Sequence, residues 1–178
     1  LIEVANGSGS TKGNVEYFRS YDYYYKALDK GWHVAPSINQ DNHMVNWGTA
    51  NDARTVVIAP RLNRKEIIDA IMKRRVYATE DKNLKMVFKA NNAIMGTILN
   101  NPSELNIFVQ VTDSDPNDII SRIDIISEGG RTVKSETFRS NTAKWSFAIA
   151  PDYKYYYVRV TESDGDMAFS APVWTGKK

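Results

Sequence analysis

The stretch of this 178-residue sequence best equipped for chemistry is Asn39-Gln40-Asp41-Asn42-His43. An aspartate and a histidine two residues apart in one loop can reach the same way. They offer a hard oxygen and a borderline nitrogen, the pair that suits Zn, Mn or Fe in hydrolases. Asp41 and His43 are therefore the candidate metal ligands, and Asp41 is also the candidate catalytic group, able to accept a proton from water. On spacing alone, an Asx-type turn carrying a surface histidine explains the triplet equally well.

The apolar run Trp32-His33-Val34-Ala35-Pro36 just before the triplet reads as a strand. That reading puts Asp41 and His43 in the loop at a strand's C-terminal end, where α/β barrels carry catalytic residues. His33, inside the run beside Trp32, is read as structural. A helix is expected over Tyr21–Lys30, closed by Gly31, with Tyr21, Tyr24, Tyr25 and Leu28 on one packing face. A second is expected after Asn63, an N-cap with Glu66 at the N3 position, and Ile67, Ile68, Ile71 and Met72 form its apolar face. Lys73, Arg74 and Arg75 then fall at its end, where cations favour the negative pole of the helix dipole. Strands alternating with helices from Leu1 to about Thr79 describe an α/β unit.

Beyond Lys82 the helical period gives way to alternation. Leu105, Ile107, Val109 and Val111 share one face, and Ile119/Ile123/Ile125, Trp145/Phe147/Ile149 and Tyr156/Val158/Val160 repeat the pattern. Asp115-Pro116-Asn117, Gly129-Gly130, Pro151-Asp152 and Asp164-Gly165 supply turns between them. Residues 83–178 are thus expected to form an antiparallel β-sandwich, immunoglobulin-like in kind, packed against residues 1–82 across a short polar turn at Asp81-Lys82-Asn83. Two further sites can be read in this part. Tyr155 and Tyr157 lie opposite Tyr156 and Val158, so an exposed pair would make a platform for a glycan or a protein, whereas a buried pair would pack on the α/β part. Asp113, Asp115 and Asp118 could offer oxygens to calcium, although Pro116 favours an ordinary turn.

Composition narrows the classes. Lys+Arg 23 against Asp+Glu 21, without a basic block, gives no electrostatic reason to expect nucleic acid as a partner. With no cysteine, disulfides, thiolate metal sites and a Cys nucleophile are excluded. The apolar runs are far too short for a membrane span. The absence of cysteine fits a cytosolic and a secreted bacterial protein alike, so composition leaves the compartment open; a secreted or periplasmic setting is expected ahead of a cytoplasmic one on other grounds than composition.

Several segments taken in order carry a family resemblance: Ile2-Glu3-Val4 with Asn6-Gly7, Ala27-Leu28-Asp29-Lys30-Gly31-Trp32, Asp41-Asn42-His43, Arg54-Thr55-Val56-Val57 and Arg74-Arg75-Val76-Tyr77-Ala78-Thr79. Over roughly residues 1–100 the chain resembles the last third of PHP-domain metal-dependent phosphoesterases, and more closely the bacterial ones with a β-sandwich after the barrel. The resemblance implies an α+β chain in two parts, a partial PHP-type α/β barrel segment over 1–82 and the sandwich over 83–178. It makes Asp41 and His43 metal ligands, gives Asn6 a supporting place near the site, and offers Arg54 and Arg75 as contacts for the phosphate of a phosphorylated small-molecule substrate. A divalent metal, Zn, Mn or Fe, would then activate water for attack on the ester. The family has Gly-Ser where Asn39-Gln40 stand here. Its opening H-x-H and its middle His and Glu ligands have no counterpart, since His33 and His43 are the two histidines present. Two ligands fall short of the three protein ligands a catalytic zinc generally uses. The expectation is therefore that an upstream barrel portion supplies the rest, and that this chain by itself is inactive.

Overall fold

The computed structural model describes residues 1–7 and 17–177. In chain order the elements are β1 (Ile2–Gly7), β2 (Tyr17–Arg19), α1 (Tyr21–Asp29), β3 (Pro36–Asn39), β4 (Arg54–Val57), α2 (Arg64–Met72), β5 (Val76–Thr79), β6 (Lys85–Ala90), β7 (Ala93–Ile94), β8 (Leu105–Thr112), β9 (Ile120–Ser127), β10 (Arg131–Ser140), β11 (Thr142–Ile149), β12 (Tyr155–Glu162), β13 (Met167–Ser170) and β14 (Val173–Trp174). The chain is mostly strand. Among the described residues no helix is long and apolar enough to cross a membrane.

Both helices start and stop where their sequences direct. Asn63 accepts a hydrogen bond from the Glu66 amide at 3.0 Å, the capping contact its position predicts. At the end of α1, Gly31 takes a left-handed φ of 83° and its amide bonds to Leu28 O at 2.9 Å. The cations after α2 are not a group at the dipole: Lys73 pairs with Asp69 one turn back, while Arg74 lies over the Trp174 ring at 5.4 Å.

Three layers result. The central one is a seven-stranded sheet in the order β10-β9-β12-β13-β5-β4, with β14 also paired to β12. On one face lies the four-stranded sheet β11-β8-β6-β7, and a core of Phe88, Leu105, Ile107, Val109, Val111, Ile123, Ile125, Val158 and Val160 fills the space between them. This is the expected sandwich, and the pleat's period of two brings it about: β8 buries its odd-numbered residues and turns Asn106 and Gln110 to solvent. On the opposite face lie α1 and a three-stranded sheet, β2-β1-β3, around a second core of Val4, Tyr24, Leu28, Ile38, Ala78, Tyr157 and Phe169. β1 and β3 run parallel with α1 in the connection between them, as an α/β unit requires.

Two expectations need correction. The strand before the D-x-H loop is not Trp32–Pro36: β1 offers ladder partners only from Ile2, which pairs with Pro36, so β3 begins where the apolar run ends and Trp32 is exposed. Sheet pairing also passes through the expected boundary at 82/83. β4 and β5, from the N-terminal part, join the central sheet because β5 pairs antiparallel with β13, Ala168 opposite Thr79. Of the two readings open for Tyr155 and Tyr157, the packed one holds, and they form no exposed ladder. They are 1% and 3% exposed, since β12 is an interior strand of a sheet covered on both faces. Tyr157 packs on Tyr24 with ring centroids 4.9 Å apart, and the Tyr155 hydroxyl donates to Asp29 Oδ1 at 2.7 Å. Asp29 also accepts from the Gly129 amide, and Gly130, at φ 69°, lets the Tyr25 ring lie where any Cβ would collide with it.

Truncating Tyr155 should therefore act on stability. Tyr155→Ala is expected to cost about 3 kcal/mol, and Tyr155→Phe, which loses only the hydroxyl bond, about 1 kcal/mol. Urea unfolding midpoints measure both, and an unchanged midpoint for Tyr155→Ala would contradict this packing.

Candidate functional site

Asp41 and His43 lie in the loop that leaves the C-terminal end of β3. Short-range amide bonds shape this loop. Gln40 accepts from Gly48 N and donates to Asn51 O, both at 3.0 Å, while Asn42 accepts from Met44 N at 2.8 Å and donates to Asn46 Oδ1 at 3.1 Å. Asp41 takes a left-handed φ of 46°, a conformation that aspartate tolerates better than most residues. The two candidate ligands meet: His43 Nε2 is 3.1 Å from Asp41 Oδ1, with the side chains 85% and 58% exposed. At that distance the two side chains hydrogen-bond to each other, and Asn42 makes an Asx turn beside them through the Met44 amide. On the same edge Glu3 Oε1 accepts from Asn39 Nδ2 at 2.5 Å and from Asn6 Nδ2 at 3.4 Å.

The remaining predicted residues are not gathered there. Arg54 donates through Nη1 to Asn51 O and Ala53 O and through Nη2 to Gly48 O, at 2.7–3.0 Å, so its guanidinium braces the loop from within. Arg75 is at the other end of the β4–β5 ladder, beside Ile58, roughly 13 Å along the strand at about 3.3 Å per residue. The two arginines therefore stand at opposite ends of the ladder, with the Arg54 guanidinium already engaged by loop carbonyls. His33 packs edge-on against Trp174 at 4.8 Å between ring centroids, and partial burial, then Arg74, push its pKa down. That placement agrees with a structural histidine.

A second group of chemical side chains gathers where the β5–β6, β8–β9 and β12–β13 connections meet. Asp81, Asp113 and Glu162 are 9%, 1% and 2% exposed, and each offers a carboxylate oxygen within 4.8 Å of the others. Asp113, Asp115 and Asp118 form an overlapping group with the same spacing. The expected turn is present as well, since Asp113 Oδ1 accepts from the Asp115 amide at 2.7 Å. Asp81 Oδ1 similarly holds the β5–β6 turn, accepting from the amides of Asn83 and Leu84. Burial, followed by the charges of Asp81, Asp113, Asp164 and Asp118, pushes the Glu162 carboxyl up to about 8. Burial pushes Asp113 and Asp166 up to about 6. Asp81 and Glu162 were not singled out from the sequence. A signal existed: Asp113 and Glu162 stand at the next inward positions after Leu105-Ile107-Val109-Val111 and Tyr156-Val158-Val160.

Relatives are few and distant. A protein from Chlamydia pneumoniae described as uncharacterized is 24% identical over 137 residues, and one from Chlamydia muridarum, described likewise, is 27% identical over 137 residues. In both cases the match covers 67% of this chain and 22% of the relative, so the chain spans about a fifth of the length of the curated relatives it matches. No family model matches the chain, and no solved structure does.

The raised carboxyl pKa values have a signed consequence. A buried acid that keeps its proton to a higher pH in the folded state binds more protons there than in the unfolded chain. Its stabilisation is complete below the ordinary carboxylate range and is lost as pH rises through the folded value. With a chelator present, unfolding temperature should therefore fall between about pH 5 and about pH 8. Glu162→Gln, which cannot ionise, should remove the part of the fall nearest pH 8. Thermal unfolding of the two proteins across this range measures the difference, in which the opposite contribution of His33 cancels.

Proposed function

We infer that the chain contributes one edge of the metal site of a PHP-type metal-dependent phosphoesterase, with Asp41 and His43 as two of the ligands. The observation that carries the reading is their convergence at 3.1 Å, largely exposed, in the loop beyond the C-terminal end of a strand that pairs in parallel with β1. In α/β architectures that end of the strands is where ligands and catalytic groups collect. The surrounding surface suits an edge to be covered by further protein: Met44, Val45 and Trp47 beside the pair are 52%, 101% and 77% exposed. A relative roughly five times as long as the matched stretch has room for such a portion.

In this reading the sandwich over 83–178 is the immunoglobulin-like module appended to the barrel segment, and β1, α1 and β3 are the barrel's last turn. A divalent metal, Zn, Mn or Fe, would polarise a phosphoryl oxygen and lower the pKa of water there. The chain's own residues orient and hold. Gln40, Asn42 and Arg54 fix the loop, Asp41 and His43 present one oxygen and one nitrogen, and Asp41 can accept a proton from the attacking water. The Glu3–Asn39–Asn6 network keeps the neighbouring strand ends in register. Arg54 acts by bracing the loop, and the phosphorylated small-molecule substrate would meet its arginine partners elsewhere.

The test uses the full-length natural protein. Asp41→Ala and His43→Ala should each lower bound zinc or manganese and cut hydrolysis of a nitrophenyl phosphate ester by about 100-fold or more, while the 178-residue chain by itself shows no turnover. Full metal content in both variants, or no hydrolysis by the metal-loaded full-length protein, would overturn the assignment.

A further inference from the structure

Two carboxylate oxygens in the interior have no donor. Asp113 Oδ2 and Glu162 Oε1 are shielded from solvent and find no hydrogen-bond partner among the described residues, although each residue is at least 98% buried. A buried charge without a partner costs several kcal/mol, so such oxygens require either a proton or a cation. Both belong to the cluster with Asp81, whose ligand oxygens all lie within 4.8 Å of one another. An ion that binds oxygen at about 2.4 Å can touch oxygens up to about 4.8 Å apart.

The cations nearby are engaged elsewhere. Lys82, which faces Asp81 and Asp115, pairs with Asp52 at 3.2 Å, and Arg19 pairs with Glu80 at 2.7 Å. Asp164 and Asp118 add negative potential from the outside. Asp113 also belongs to the group with Asp115 and Asp118, which reaches from the interior to the surface and supplies both further oxygens and a way in.

We propose that Asp81, Asp113 and Glu162 form a calcium site that fastens the two sheets of the sandwich together at one end. The ligands come from both sheets: Asp113 follows β8 of the four-stranded sheet, while Asp81 and Glu162 end β5 and β12 of the central one. The donor set is all oxygen, with neither histidine nor thiolate, which selects a hard cation over zinc. Carboxylates from three separate connections favour the high and irregular coordination of calcium over the strict octahedron of magnesium. The site is independent of the Asp41–His43 edge.

Chelator-treated chain would be titrated with calcium chloride, with magnesium chloride alongside, by calorimetry and by thermal unfolding. At pH 8, about 1 mM calcium should raise the unfolding temperature by about 5 °C, and magnesium by much less. At pH 5, where Asp113 and Glu162 hold protons, the shift should shrink. Asp113→Asn and Glu162→Gln should each weaken calcium binding by about tenfold or more, whereas the Asp41→Ala/His43→Ala double variant should keep the whole response. If wild-type chain gives neither heat nor a shift up to about 10 mM calcium, the oxygens hold a proton and the proposal falls, whatever the variants do. It falls equally if Asp113→Asn binds as wild type, or if the response disappears with Asp41 and His43.

Discussion

Much of the molecule's arrangement rests on the buried carboxylate of Glu80. It is fully buried just past β5, and it accepts from Arg19 Nε and Nη2 at 2.8 and 2.7 Å, from the Tyr21 hydroxyl at 2.5 Å and from the Met167 amide at 2.9 Å. Those donors come from β2, from the first residue of α1 and from β13. A charge taken out of water must be met from several sides at once, so this residue forces the small sheet, the helix and the central sheet into one relative position. The Arg19 side chain is 40% exposed, so solvent screens the ion pair. Its importance lies in geometry: a bidentate guanidinium fixes orientation as well as distance. The tyrosine answers in kind, its hydroxyl held protonated far above the usual range by burial and then by the Glu80 charge.

Elsewhere at this end of the sandwich the same physics takes another course. Glu80 accepts from Arg19, Tyr21 and Met167, while Asp113 and Glu162, comparably buried, each keep an oxygen with no donor among the described residues. Donor supply, not depth, separates a buried acid whose oxygens are met by hydrogen bonds from one whose oxygen calls for a proton or a cation. Along the β12–β13 connection, burial and then neighbouring acids, Asp164 among them, raise the proton affinity of Glu162 and Asp166.

What could be read from the sequence divides along the same line between local and distant causes. Periodicity is local, so β8, β11 and the inward stripe of β12 were legible residue by residue, as was the Asn63–Glu66 cap. The opposite face of β12 was not. Alternating tyrosines look the same whether water or a helix covers them, and only the placement of α1 against the sheet decides. The Trp32–Pro36 run misled for a related reason: apolar residues favour a strand, but a strand needs a partner, and β1 pairs only from Pro36 onward. Asp41 and His43 were legible because two residues separate them. Asp81, Asp113 and Glu162 come together only through the pairing of β5 with β13 and the stacking of two sheets, although a carboxylate ending an apolar stripe is itself a local warning.

The D-x-H loop and the acidic end of the sandwich are tied to each other through the β4–β5 hairpin. Arg54 opens β4 opposite Thr79, so the loop ends where the Glu80-Asp81-Lys82 turn begins, and Lys82 reaches across to Asp52. Further back, the Thr55 hydroxyl donates to Ile38 O at 2.7 Å and accepts from Ile38 N at 2.9 Å, stitching β3 to β4 with one side chain where no ladder exists. β3 is thus held by its ladder to β1 on one side and by this threonine on the other, so its place depends on the central sheet behind it. The sandwich therefore does more than follow the α/β part in the chain. Its central sheet supplies the floor on which β3 rests, and the position of Asp41 and His43 depends on how firmly the acidic end of that sheet is held.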